Sequence, residues 1–271
     1  MMSQAQFLFL GTGGSMGVPV IGCNCEVCHS HSPYNKRLRP SALISWKEQS
    51  ILIDCGPDFR QQALHYNIKK VNSLMLTHAH NDHTAGIDDL RIFYLRSHQS
   101  LPCLLSEETA ADLRIRYYYI FKSSQDYDKQ LAKLQLVLIT NPRGIINFQG
   151  LKIRYVTFEQ GKMKVNGFRL GNLAYVSDIR LYPETIFEDL AGVKILILSA
   201  LRFTPSPLHF SVDEAIEFAN RVGAEQTWLT HISHDLDHEK TNAYLPPHIR
   251  MAYDGLKIDF QLETSNMPDG V

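Results

Sequence analysis

The segment His78-Ala79-His80-Asn81-Asp82-His83 constrains this chain more than any other. It sets three imidazoles and a carboxylate within six residues, directly after the apolar run Leu74-Met75-Leu76. Neutral imidazole and carboxylate are natural ligands of divalent zinc, manganese and iron, and packing four of them together makes little sense without a cation. A polar strand-to-helix turn carrying surface histidines is the plain alternative. The rest of the chain weighs against it by supplying matching partners.

Spacing restricts what one ion can take. Residues two apart on an extended strand end point to the same side, so His78 and His80 can grip one cation together. Asp82 and His83 lie beyond the bend, at the start of the next helix, and face a second position. Two neighbouring cations need a bridging anion to offset their repulsion. Asp178, closing Ala174-Tyr175-Val176-Ser177-Asp178, is the best candidate, and His231, closing Trp228-Leu229-Thr230-His231, would complete the second site. Alone, Asp178 reads equally as a helix cap or turn residue and His231 as a core histidine. Beside the first motif both read as ligands.

Short apolar strands alternate with helical patterns along the chain, which predicts an α/β fold. Expected strands include Phe7–Leu10, Ser41–Trp46, Ile51–Asp54, Ser73–Thr77, Leu151–Phe158, Phe168–Leu170, Leu173–Ser177 and Thr227–Leu229. Helices are expected over Phe59–His65, Gly86–Ser97, Glu107–Lys122, Glu184–Leu190 and Val212–Val222, with Ser211 and Glu214 forming a capping box for the last. The polar stretch Ser123 to Lys133 reads as a surface connection. Asp54, His78, Asp178 and His231 each follow an apolar run, so strand ends can gather them in one cleft. No repeat or linker divides the sequence, and residues 1–271 read as one domain.

With 27 basic against 28 acidic residues, the surface offers no general attraction for nucleic acid or an anionic membrane. No segment approaches the ~20 apolar residues that span a bilayer, and the start lacks the charged region of a signal peptide. The expected compartment is the cytoplasm. Five cysteines make a poor disulfide framework, and three of them crowd into Cys23, Cys25 and Cys28. Three thiolates favour zinc, in a loop over residues 22–31 that has no core of its own. A fourth ligand is missing, and His29 and His31 are the nearest imidazoles, although His29 is awkwardly adjacent to Cys28. Cys55 and Cys103 read as core residues. Gly11 to Gly17 is glycine-dense; tight turns explain it better than a phosphate cradle.

The metal-ligand pattern resembles the metallo-β-lactamase superfamily. A wider reading is narrower in outcome. Gly11-Thr12-Gly13-Gly14-Ser15-x-Gly17-Val18-Pro19 and Gly22-Cys23-x-Cys25-x-x-Cys28 resemble the opening of the PhnP-like phosphoribosyl 1,2-cyclic phosphate phosphodiesterases. The resemblance continues through His83-x-x-Gly86-Ile87-Asp88-Asp89-Leu90-Arg91, Ser199-Ala200-Leu201-Arg202, Leu229-Thr230-His231-Ile232-Ser233-His234 and Tyr253-Asp254-Gly255-Leu256.

That resemblance implies a four-layered αββα sandwich with a two-ion centre of zinc or manganese and a separate structural zinc. His234 would be the fourth ligand of Cys23, Cys25 and Cys28. The implied reaction is opening of a small cyclic phosphate by a metal-bound hydroxide, in a homodimer with no nucleic-acid or membrane partner. His209, in Pro207-Leu208-His209-Phe210-Ser211, would act as general acid or phosphate stabiliser, with Asp82 as both ligand and catalytic residue. Arg91 and Arg202 are candidates for a remote phosphate. One departure stands out: the superfamily offers a third histidine to the first ion, and here Gln160 occupies its place, with Glu159 as substitute if the loop shifts. The rival readings are an RNA-processing nuclease on the same fold and a metal-binding accessory protein that has lost catalysis.

Overall fold

The computed structural model describes residues 2–121 and 131–264. Two mixed sheets of seven strands each form its centre. The first is built from β1 (Met2–Gly11), β2 (Ser41–Trp46), β3 (Gln49–Ile53), β4 (Ser73–Met75), β5 (Leu101–Ser106) and β6 (Leu134–Ile139). The second contains β7 (Arg143–Phe148), β8 (Leu151–Gln160), β9 (Met163–Leu170), β10 (Leu173–Val176), β11 (Ile195–Ser199), β12 (Gln226–Thr230) and β13 (Ile249–Met251). The last strand, β14 (Lys257–Glu263), returns to the first sheet and pairs antiparallel with β1.

Alternation along the strands builds the layers. On β1, Phe7 and Phe9 enter the core between the sheets with Ile51 and Ile53, opposite Ile153, Phe168 and Tyr175. Leu8 and Leu10 face the other way with Leu52 and Leu74, onto Phe59, Phe93 and Leu113 of the helical layer. Across the molecule, Leu196 and Leu198 pack on Ile186, Val212 and Phe218. Strands buried on both faces carry near-continuous apolar runs, which is why the central ones were legible. The expected αββα order of layers is the observed one.

Strands β3 to β6 run parallel, as do β10 to β13. Parallel neighbours bring their C-terminal ends to one edge, and there the chain places Asp54 after β3, His78 after β4, Asp178 after β10 and His231 after β12. Three of these four, Asp54, Asp178 and His231, have φ of 59°, 59° and 58°. Left-handed backbone at non-glycine residues costs on the order of 1–3 kcal/mol each and collects where function demands it.

The helices are α1 (Glu26–His29), α2 (Phe59–His65), α3 (Asn81–Thr84), α4 (Arg91–Ser97), α5 (Glu107–Arg116), α6 (Tyr118–Phe121), α7 (Ile186–Asp189), α8 (Val212–Val222) and α9 (His238–Tyr244). The capping box of α8 is complete: Ser211 Oγ accepts from Glu214 N, and Glu214 Oε2 accepts from Ser211 N at 2.8 Å. The helix expected over Gly86–Ser97 instead opens with a 3-10 turn, Ile87–Leu90, before α4. The one expected over Glu107–Lys122 breaks at Tyr117, whose hydroxyl donates to Thr84 O at 2.9 Å, and Lys122 lies outside the described residues. Most of the connection expected over Ser123 to Lys133 also lies outside them; of its end, Ala132 is buried. Among the described residues, no helix is long and apolar enough to cross a membrane.

Candidate metal centre

Four candidate ligand residues gather at the strand ends. His231 Nε2 lies 3.2 Å from Asp178 Oδ1 and 3.4 Å from Asp82 Oδ2. His83 Nε2 lies 3.3 Å from Asp178 Oδ2 and 3.5 Å from Asp82 Oδ2. Ligands about 2.0–2.2 Å from one tetrahedral ion sit about 3.3–3.6 Å from each other, so each of these pairs is spaced as two ligands of one ion would be, with Asp178 offering one oxygen towards His231 and the other towards His83. His83 Nε2 is buried yet makes no hydrogen bond. It faces a shared centre rather than a partner. His78 Nε2 and His80 Nδ1 stand 2.9 Å apart beside it, and His78, His83 and Asp178 form a second cluster of ligand atoms.

Charge supports the same conclusion. Burial alone would push Asp178 and Asp82 up, but the neighbouring His231 and His83 outweigh it and hold both carboxyls well below their usual range. Burial pulls His83 and His231 down, yet the facing carboxylates, Asp54 for His83 and Asp178 for His231, outweigh it and raise both. His78 is driven well down, chiefly by burial. The cluster therefore calls for positive charge between Asp82, Asp178 and the two raised imidazoles. A divalent ion meets that demand without protonating its ligands.

Asp54 orients the ligands from behind. His83 Nδ1–H donates to Asp54 Oδ2 at 2.7 Å, which leaves Nε2 free to face the centre. Thr77 N and Thr77 Oγ1 also donate to this carboxylate, and Thr77 Oγ1 is 2.9 Å from His78 Nδ1. One fully buried carboxylate thus fixes two imidazoles. Arg116 grips the same segment, donating to Asn81 Oδ1 at 2.8 Å and to Ala79 O. Sequence reasoning placed Asp54 in the cleft without this orienting role and did not mark Arg116. The position of Asp54 after an apolar run was the available signal; Arg116 left none.

The cysteine loop meets the chain far along its length. Sγ of Cys23, Cys25 and Cys28 lie 3.2, 3.5 and 3.6 Å from His234 Nδ1. A tetrahedral zinc holds sulfur and nitrogen about 3.5 Å apart, so the spacing again fits. His29 and His31 are exposed and stand outside this group. The backbone N–H of Cys28 donates to Cys25 Sγ at 3.4 Å and pulls that thiol down to about 6. Because His231 and His234 share one loop, the two centres are mechanically joined. That loop is clamped by the glycine turn: Gly14 N donates to Ile232 O and Ile232 N to Thr12 O, both at 2.9 Å. A Cβ on Gly14 would come within 3.2 Å of Leu201 and 3.4 Å of His231 Nδ1. Thr12 N bonds Asp254 Oδ1, Gly13 N bonds Leu38 O and Gly17 N bonds Gly14 O, so these donors of the turn, like Gly14 N, are committed to the fold rather than to a phosphate.

A cavity of about 700 Å³ opens over the ligands and is lined in part by Ser15, Asn81, Gln160, Lys162, Leu208 and His209. His209 stacks on His231 with ring centroids 4.9 Å apart, and its Nδ1 is 3.5 Å from Asp178 Oδ1. Burial, helped by the charge of His231, pushes His209 down to about 4, so its ring stands neutral at neutral pH. Gln160 Nε2 donates to Asp178 Oδ1 at 2.9 Å and contacts both ring nitrogens of His209 at 3.0 and 3.2 Å.

Three expected site residues, Glu159, Arg91 and Arg202, are not among the cavity-lining residues. Glu159 sits on the opposite face of β8 from buried Gln160; it is exposed and paired in register with Lys164, so strand alternation keeps it from the ions. Arg91 is exposed on α4, 3.4 Å from Asp88, and lines a separate surface groove. Arg202 follows β11, pairs in a bridge with Ser211 and is not among the cavity-lining residues. Lys162, at the tip of the β8–β9 hairpin, is the basic side chain that does line the cavity.

Comparison with known proteins gives a consistent picture. The family model described as the beta-lactamase superfamily domain matches residues 49–232. The solved structure of a diphosphatase from the PhnP family superposes with a TM-score of 0.89 at 38% identity, covering 97% of this chain and 99% of that one. An octanoyltransferase of Porphyromonas gingivalis (strain ATCC BAA-308 / W83) is 34% identical over 253 residues, 92% of this chain and 50% of its own. This chain therefore spans about half the length of that curated relative. A ribonuclease Z of Methanopyrus kandleri is 23% identical over 287 residues, 92% of this chain and 96% of its own.

Proposed function

Because this chain belongs to the beta-lactamase superfamily and, within it, to the PhnP family, we propose that it opens a small cyclic phosphodiester, a phosphoribosyl 1,2-cyclic phosphate or a close relative. It is a metal-dependent hydrolase. The observation that carries the substrate reading is the compact group Asp82, His83 and His231, with Asp178 against both imidazoles, at a cavity of about 700 Å³ with Lys162 among its lining residues. The volume suits a sugar phosphate, and the lysine suits its second anionic group.

His78 and His80 would hold one divalent zinc or manganese, Asp82, His83 and His231 a second, and Asp178 would bridge them. Cys23, Cys25, Cys28 and His234 would hold a structural zinc. Ions bound in the first two positions would supply Lewis acidity and lower the pKa of a bound water towards neutrality, so that its deprotonated form is available as nucleophile. The chain's own groups do the positioning. His209 is neutral and lines the cavity, so its one N–H would serve a phosphate oxygen or the departing alkoxide. Leu208 and Met163 give the cavity an apolar wall. The working protein would be a cytoplasmic homodimer. Acyl transfer, the activity named for the octanoyltransferase, stays with a protein twice as long.

A second reading, RNA processing, has the similarity to ribonuclease Z in its favour. A formal net charge of −1 counts against it, since gripping RNA takes a basic surface. Hydrolysis assays with added Mn²⁺ or Zn²⁺ on a cyclic sugar phosphate, a diphosphate diester and a small structured RNA separate these substrates. The cyclic phosphate should turn over fastest, and His209→Ala should lower kcat roughly 10²-fold with metal content unchanged. Faster cleavage of RNA, or equal loss of metal and turnover in the variant, would overturn the assignment.

A further inference from the structure

We propose that Gln160 makes the two active-site ion positions unequal, completing the His78–His80 position with a neutral amide oxygen so that its ion is weakly held and exchangeable. This rests on the two-ion reading above.

The two positions differ on the page. Asp82, His83, Asp178 and His231 supply two imidazoles and two carboxylates, with the ligand atoms already at coordination spacing. The other position has His78, the exposed His80 and a share of Asp178, and His80 belongs to none of the compact ligand clusters. Gln160 is buried, lines the same cavity as His80 and bonds the shared Asp178. Its amide nitrogen is committed, one hydrogen to Asp178 and the other to His209. Turning the amide over would set its oxygen 2.9 Å from a carboxylate oxygen, which repulsion forbids, so the assignment of nitrogen and oxygen is chemically fixed. The oxygen Oε1 is then buried with no hydrogen-bond partner. A buried carbonyl oxygen without a donor is an unmet demand for positive charge. An ion shared with His78 and His80 answers it.

The consequence is selectivity as well as weakness. An amide oxygen is neutral and hard, so this position should prefer Mn²⁺ over Zn²⁺ relative to its neighbour. Three chemically distinct positions result: thiolate-rich for zinc, carboxylate-rich and tight, and amide-completed and labile.

The test counts ions by mass spectrometry on the full chain after gel filtration, then titrates Mn²⁺ and Zn²⁺ against a chelating dye. The wild type should retain two ions per chain and take up a third at least about 100-fold more weakly, with Gln160→His retaining all three. Gln160→Leu, which lacks the oxygen, should fail to take up the third while keeping the cysteine-bound ion as a check on folding. Three equally tight ions in the wild type would overturn the inference, as would unchanged third-ion binding in Gln160→Leu. Retention of the cysteine-site ion alone, even at saturating metal, would overturn the two-ion reading itself.

Discussion

Replacing Asp178 with Asn should remove the active-site ions and lower phosphodiester hydrolysis by roughly 10³-fold or more, beyond the 10–100-fold typical of changes outside the ligand set. The carboxylate is almost fully buried and sits within 3.5 Å of His83, His231, Gln160 and His209. Asn keeps the volume and loses the charge. Without it, no anion remains to shield two neighbouring cations from each other, and the raised pKa values of His83 and His231 lose a main support. Elemental analysis alongside kinetics reads the result. One ion per chain, in the cysteine site, is expected. Retention of wild-type metal content and rate would contradict the role given to Asp178.

The second large effect belongs to the cysteine loop. Cys28→Ser should release its ion and lower the thermal midpoint by roughly 10 °C, as expected for losing several kcal/mol in a chain of this size. Cys28 is buried, and the segment around it holds few other core residues, chiefly Val27. The ion therefore substitutes for a missing hydrophobic core. Because His234 follows His231 by three residues and Gly14 is packed against both the loop and Leu201, the damage should spread to the active site. Calorimetry of the zinc-loaded wild type and variant measures it. A midpoint shift under about 2 °C would mean that the loop is held by its protein contacts alone.

The layers and the ligands were legible for one reason: ligating residues follow apolar runs, and buried parallel strands announce themselves. His78, His80, Asp82, His83, Asp178 and His231 are marked by residue type and by position at strand ends. What sequence could not supply was direction. Read to end at Phe158, β8 left Glu159 and Gln160 equivalent; observed to run through Gln160, it puts Phe158 and Gln160 on one face and Glu159 on the other. Arg91 and Arg202 were judged by motif, which says nothing about where a side chain points. Asp54 was legible as a strand-end residue of the cleft, but its part in orienting His83 shows only in its bond to that ring. Lys162 carried no mark of a site residue in the sequence. The sequence of β9 alternates Lys164 and Asn166 with Val165, so its first half was missed for want of an unbroken apolar run.

Anomalous diffraction from crystals grown with Zn²⁺ and Mn²⁺ tests the central claim most directly. The account predicts one strong peak within bonding distance of Asp82, His83, Asp178 and His231, another among Cys23, Cys25, Cys28 and His234, and a weaker third near His78 and His80. A peak at the cysteines alone, with the cluster of imidazoles and carboxylates unmetallated in saturated crystals, would contradict it.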